Sequence, residues 1–316
     1  MKVAYLFPGQ GAQYVGMGKA LHDASPEARR CFESANQVLG FDLARLCFEG
    51  PEQELTSTAN SQPAILTVSV AALWALEAQA ARGGLALEPV VAAGLSLGEY
   101  SALVAAGALT FEDAVRVVRR RGELMEAASR QQPGTMCSVM GLAIEQVEAA
   151  CRQAGAEVAN LNAPGQVVIS GRKDAAVAAA EAAKQAGGKA IMLDVSGAFH
   201  SSLMAPAAKG LDEVLAATAI RPTQFPVLAN VDAQPHADPM QIRQKLVRQL
   251  TSPTLWEQSM RALVQRGVTQ YLEIGPGKVL RGLFRRIDAA AVVTGIEASE
   301  DLERLGAQLR ETHAQR

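Results

Sequence analysis

Short runs of apolar and β-branched residues alternate along the chain with longer alanine-rich segments whose apolar positions recur at helical spacing. That alternation predicts an α/β protein built on a mainly parallel sheet. Strands are expected from Val3 to Phe7, Val90 to Ala93, Phe225 to Asn230, Thr269 to Ile274 and Ala291 to Ile296, with helices filling much of what lies between. Thr110 followed by Phe111-Glu112-Asp113 has the cap and the acidic first turn of a helix start. This helix should run through an arginine cluster toward Ala127 and end near Gln132-Pro133-Gly134.

From Thr135 the texture changes. A strand to Met140, a helix from Ile144 to Ala154 and a strand from Glu157 to Asn162 lead to a Pro164-Gly165 turn. A strand from Gln166 to Ser170, a helix from Asp174 to Ala186 and a strand from Lys189 to Val195 follow. The order βαββαβ is that of a small ferredoxin-like sheet, and the larger pattern resumes after Gly197. The expected organisation is a large domain of residues 1–130 and 197–316, interrupted by a ferredoxin-like subdomain of residues 131–196. The polar tail from Glu311 to Arg316 is expected to fray.

Composition narrows the function. The chain has 316 residues, 20% of them charged, and a net charge of −2, so no broad cationic field exists to hold nucleic acid or an anionic membrane. Arg116, Arg119, Arg120 and Arg121, and Lys278, Arg281, Arg285 and Arg286, read as solvated helix faces, a local basic patch being the alternative. The cysteines Cys31, Cys47, Cys137 and Cys151 have neither Cys-x-x-Cys spacing nor nearby histidines, so buried free thiols are expected rather than a metal or redox site. The first residues enter a strand pattern with no leader-like apolar segment. Glu77 and Arg82 interrupt the most alanine- and leucine-rich stretch, so no membrane span is expected and a cytoplasmic location follows.

Candidate chemistry centres on Gly94-Leu95-Ser96-Leu97-Gly98, set directly after an apolar run and directly before a helical segment. A strand turning sharply into a helix lifts a serine hydroxyl into a cleft, and flanking glycines let neighbouring chain pass close. The hydroxyl needs a base. Of the four histidines, His313 lies in the tail, His22 in a charged segment, and His236 in the polar loop Gln234-Pro235-His236-Ala237-Asp238-Pro239. His200 follows a strand at the seam between the two expected units, where clefts form. No acid is marked as a third member, so a main-chain carbonyl is the alternative partner for the histidine. Pro8-Gly9-Gln10-Gly11 follows the first strand, where a loop either makes a tight turn or turns an N–H toward an oxyanion shared with the N–H of Leu97. Arg121 is either a surface cation or, pointing inward, a guanidinium fork matched to a carboxylate.

Taken together, Phe7 to Gly11, Gly94 to Tyr100, Arg121-Gly122, Asn160 to Gly171, Gly197 to Ser201 and Gly275 to Leu280 resemble the malonyl-CoA:acyl carrier protein transacylases of fatty acid synthesis, in family order over nearly the full chain. The resemblance implies a hydrolase-like α/β domain carrying the ferredoxin-like insertion. It also implies that Ser96 takes the malonyl group from coenzyme A as an ester, with His200 as base and then acid. An acyl carrier protein thiol then accepts the group. It places a histidine-holding carbonyl in the stretch Gln249 to Pro253, an oxyanion hole at Gln10 and Leu97, and Arg121 on the malonyl carboxylate. Phe199, Met125, Asn160 and Asn162 are implied as substrate-binding, Phe199 crowding out a methyl branch. No metal and no cofactor beyond the malonyl-CoA substrate is implied, and a monomer is expected. One position departs from the pattern: most relatives have histidine just before the nucleophile, and this chain has Leu95. Alternatives that stay open are a trans-acting polyketide acyltransferase, a malonate decarboxylase loading subunit, a serine thioesterase or hydrolase, and a non-catalytic carrier-binding module.

Overall fold

Val3, Tyr5 and Phe7 lie in one buried cluster and Ala4 and Leu6 in another, the two-residue period that a strand buried on both faces imposes. The computed structural model describes residues 2–84, 87–236 and 238–314. Among these residues the strands are β1 (Lys2–Phe7), β2 (Glu88–Gly94), β3 (Gly134–Met140), β4 (Glu157–Ala163), β5 (Gln166–Arg172), β6 (Lys189–Met192), β7 (Val227–Leu228), β8 (Gln270–Ile274) and β9 (Val292–Ile296). They form a five-stranded sheet of order β7-β2-β1-β8-β9 and a four-stranded sheet of order β4-β5-β3-β6. Every pairing in the first is parallel and every pairing in the second antiparallel.

Helices cover both faces of the parallel sheet. One face packs against Thr58–Arg82, which in turn packs on Pro26–Leu39 and Phe111–Gln131. The other carries Trp256–Gln265 and Val279–Ile287 through Trp256, Met260, Leu263, Leu280 and Phe284. Thr58–Arg82 is by length and composition apolar enough to cross a membrane, contrary to the expectation that Glu77 and Arg82 break it up: both charges fall near its C-terminal end. Most of its apolar stretch is buried inside the protein, as befits a central core helix.

The second sheet has the strand order of a ferredoxin-like layer, with Ile144–Ala154 and Lys173–Gln185 packed together on it. Its last strand stops at Met192, three residues short of the expected Val195. Main-chain bonds from Leu161 N–H to Thr254 O and from Thr254 N–H to Ala159 O tie β4 to the rest of the protein. The expected strand from Phe225 to Asn230 shortens to Val227–Leu228, because Pro226 has no N–H to give the ladder and Asn230 is drawn into the elbow. Glu311 to Ala314 continue the helix Ser299–Ala314, having neither Gly nor Pro to stop it. Residues 315 and 316 lie outside the described residues, as does Ala237 of the His236 loop.

Two glycines set the turn after β2. A Cβ on Gly94 would stand 1.9 Å from the Gly98 carbonyl carbon, and one on Gly98 would stand 2.1 Å from Phe7 O. Neither obstacle can rotate away, since both are main chain. Gly98→Ala is therefore expected to cost about 3 kcal/mol in urea unfolding, the upper part of the range for overpacking. Gly282→Ala, in a helix with nothing within 4 Å of the added carbon, should instead stabilise by about 0.5–1 kcal/mol. Equal effects at the two positions would contradict this close-packed turn.

Candidate active site

The turn between β2 and the helix Gly98–Ala105 holds Ser96 at φ 51°, a left-handed conformation that non-glycine residues seldom adopt. Two bonds fix it: Ser96 N–H donates to Asn230 Oδ1 at 2.6 Å and Leu95 N–H donates to Phe7 O at 3.0 Å. The serine thus stands at the carboxyl end of a parallel strand, where open α/β sheets place their ligands.

His200 meets it from the seam where the chain returns from the antiparallel sheet. Its Nε2 lies 2.9 Å from Ser96 Oγ and its Nδ1 2.8 Å from Gln249 O. A carbonyl can only accept, so Nδ1 carries the hydrogen and Nε2 is left to accept from the serine hydroxyl. His200 is itself at φ 55° and is buried. Burial first, and the Arg121 charge second, push its pKa down from 6.5 to about 4, against the opposing pull of the Gln249 and Ser252 carbonyls. The imidazole is therefore neutral at physiological pH.

Arg121 points inward from the helix Phe111–Gln131 and is 1% exposed. Of the basic cluster, Arg116 and Arg120 face solvent and Arg119 is half-buried on Asn60 and Glu123. Arg121 Nη2 donates to Ser96 Oγ at 3.1 Å and to Gln249 Oε1 at 3.0 Å, while Nη1 donates to Gln62 Oε1 at 2.8 Å. All three acceptors are neutral. Among the described residues no carboxylate lies within ion-pair distance of it, and its Nε is buried without a partner. Desolvation lowers its hold on the proton, opposed first by Tyr100 and then by the nearby Glu99 charge.

The remaining expected residues fall at varying distances from this core. Gln10 and Leu97 flank it from two loops in tight contact: a Cβ on Gly9 would stand 2.2 Å from Leu95 O. Among the described residues, neither the Gln10 N–H nor the Leu97 N–H donates to another main-chain group. The Gln10 side chain reaches Thr58 Oγ1 at 3.4 Å, and Thr58 Oγ1 lies 3.1 Å from Ser196 Oγ. Met125, one turn beyond Arg121, receives Gln62 Nε2 on its sulfur at 3.3 Å. Phe199 is buried in the main core cluster directly before the histidine. Asn160 and Asn162 sit on β4 beside its junction with Thr254, and among the described residues neither side chain bonds to Ser96, His200 or Arg121. Leu95 is half-buried against the cluster on the far face of the sheet.

His236 lies in its loop but is buried there, its Nε2 donating to Glu99 Oε1 at 2.9 Å, because Pro235 bridges to Leu228 and His236 N–H bonds Val227 O. Gln62, Asn230, Thr58 and Glu99 are functional neighbours that sequence reasoning missed. The signal for Gln62 was a polar side chain in the apolar helix Thr58–Arg82, and for Glu99 its place inside the elbow motif.

A strained serine with a neutral imidazole and a buried guanidinium on its oxygen is the arrangement of a serine acyltransferase. The acyl transferase domain family matches residues 4–293. A malonyl CoA-acyl carrier protein transacylase of Bacillus subtilis is 46% identical over 96% of this chain and 95% of its own. One of Clostridium perfringens superposes with a TM-score of 0.93 at 38% identity, covering 99% of both chains. A malonyl-transacylase solved with a type II polyketide acyl-carrier protein does so at 0.93 and 40% identity, covering 98% of this chain and 100% of that one. The chain belongs to the malonyl-CoA:acyl carrier protein transacylase family.

Proposed function

We propose that this enzyme moves the malonyl group of malonyl-CoA onto the phosphopantetheine thiol of an acyl carrier protein through a malonyl-Ser96 ester, in fatty acid synthesis. The Ser96 Oγ–H proton passes to His200 Nε2 as Oγ bonds the thioester carbon. The N–H groups of Gln10 and Leu97 receive the oxyanion. As the C–S bond breaks, the imidazolium returns its proton to the coenzyme A sulfur. The carrier thiol then gives its proton to His200 as its sulfur attacks the ester carbon, and the imidazolium returns that proton to Ser96 Oγ as the C–O bond breaks. The Gln249 carbonyl keeps Nδ1–H in place and takes the position of a triad acid.

The observation that carries this reading is Arg121, a buried guanidinium donating to the nucleophile's own oxygen with no carboxylate of the described residues upon it. A malonyl carboxylate supplies that missing anion; an acetyl methyl would leave the charge unpaired. Phe199 and Met125 shape the acyl pocket, and Asn160 and Asn162, near the seam, contact the arm of the thioester. Residues 1–130 and 197–316 form the catalytic unit, with 131–196 as the smaller one. The reading needs no metal or cofactor, and the enzyme works as a cytoplasmic monomer. Intact-mass measurement after incubation with malonyl-CoA or acetyl-CoA tests it. Malonyl should add once per chain, and equal acetyl loading would refute the carboxylate clamp. Supplying fatty acid and polyketide carrier proteins in turn then shows which one unloads the ester.

A further inference from the structure

The site lacks a triad acid, yet a buried carboxylate lies inside the elbow motif itself. Glu99 is three residues beyond the nucleophile, in the first turn of Gly98–Ala105, and is 1% exposed. Its Oε2 accepts from Asn230 N–H at 2.9 Å and from Gln249 Nε2 at 2.8 Å, and its Oε1 accepts from His236 Nε2 at 2.9 Å.

Two of these donors belong to residues that hold the reacting groups. Asn230 accepts from Ser96 N–H through Oδ1 and donates through Nδ2 to Gly94 O at 2.7 Å, so it grips the elbow on both sides of Leu95. Gln249 holds His200 Nδ1 with its main-chain carbonyl, Arg121 Nη2 with Oε1, and Ser96 O with Nε2 at 3.0 Å. We propose that Glu99, clamped by His236, is the positioning residue that sets the Gln249 amide and the Asn230 main chain, and through them the register of serine, imidazole and guanidinium.

The chemistry of the Gln249 amide is what demands a carboxylate. A carboxylate only accepts, so it turns the amide nitrogen toward itself and leaves Oε1 facing the guanidinium, which only donates. A neutral amide at position 99 could present its own N–H₂ to Gln249 and admit the flipped arrangement, in which an N–H₂ group confronts Arg121. Glu99 also offsets part of the arginine's charge without touching it, which leaves guanidinium N–H groups free for a substrate. His236 completes the clamp on the second oxygen, and among the described residues its Nδ1 is buried without a partner, so there its bond to Glu99 is the one its ring makes.

This inference rests on the malonyl-transfer reading, and the test separates the two. In the full-length chain, Glu99→Gln should slow malonyl loading of Ser96 about 100-fold and lower the malonyl-to-acetyl rate ratio at least tenfold, the size of effect misplaced catalytic groups produce. Mere loss of folded protein would reduce both rates together and leave the ratio alone. Glu99→Asp, which stays acceptor-only, should keep the ratio within about threefold of the parent while loading more slowly. Should Glu99→Gln not fold, His236→Leu is expected to lower the ratio and His236→Gln, which retains an N–H donor, to restore it. A parent-like ratio in Glu99→Gln, or in His236→Leu where only that variant folds, would overturn the positioning role. Failure of the unaltered enzyme to load malonyl at all would instead overturn the functional reading.

Discussion

Replacing His200 with alanine is expected to slow malonyl loading of Ser96 by about 10³-fold or more, within the range that loss of a general base or a triad member produces. The imidazole nitrogen is the acceptor on Ser96 Oγ at 2.9 Å, and His22 and His236 are held elsewhere, on Asp23 and Glu99. Rapid-quench intact mass at saturating malonyl-CoA reads the rate directly, and a loss of less than tenfold would remove His200 from the chemistry. The pH dependence carries a sign that can be worked out. The competent form is the neutral ring, and its pKa is lowered to about 4, so loading should stay flat from about pH 8 down to about 5 and fall only as pH drops through about 4. An acid limb near the ordinary 6.5 would mean that burial and the Arg121 charge do not act on it as the geometry requires.

Arg121→Ala should lower malonyl loading by about 10²–10³-fold while changing acetyl loading far less, collapsing the preference between the two thioesters. Removing one partner of a desolvated ion pair costs about 3–5 kcal/mol, and each 1.4 kcal/mol is tenfold. For acetyl the balance runs the other way. The parent enzyme must enclose a methyl group against an unpaired cation, and the alanine variant has no such cation. The same substitution removes the second of the two causes that depress His200, so its acid limb should move upward, though not fully to 6.5 because burial persists. Time courses with each thioester across pH give both readouts. An unchanged malonyl-to-acetyl ratio would show that the guanidinium does not meet the acyl group.

Much of this architecture was legible because local patterns and tertiary packing agree. The apolar run of β1, the Thr110 cap whose Oγ1 accepts from Asp113 N–H at 3.1 Å, and the βαββαβ order all follow from nearest neighbours in sequence. The short helices Lys19–Ala24, Leu43–Glu49 and Glu52–Thr56 were not individually visible, since each is too brief for periodicity to stand out. Ser96 could be found because its glycines are a local requirement of the turn. Gln62, Asn230 and Glu99 could not be assigned roles in this way. They act across separations of 59, 134 and 150 residues, through bonds to Arg121, Ser96 and Gln249, and only the folded sheet brings those partners together. The partner of His236 was hidden for the same reason: nothing in its polar, proline-flanked stretch points to an acid 137 residues away.

The backbone twist at position 96 decides which hydroxyl-bearing residue this enzyme can employ. A β-branched side chain is a genuine outlier at positive φ, so threonine, with the same oxygen and one extra methyl, is barred by the chain beneath it and not by its chemistry. Cysteine, unbranched at Cβ, meets no such bar, and the fold would admit a thiol in the nucleophile's place where it refuses a secondary alcohol.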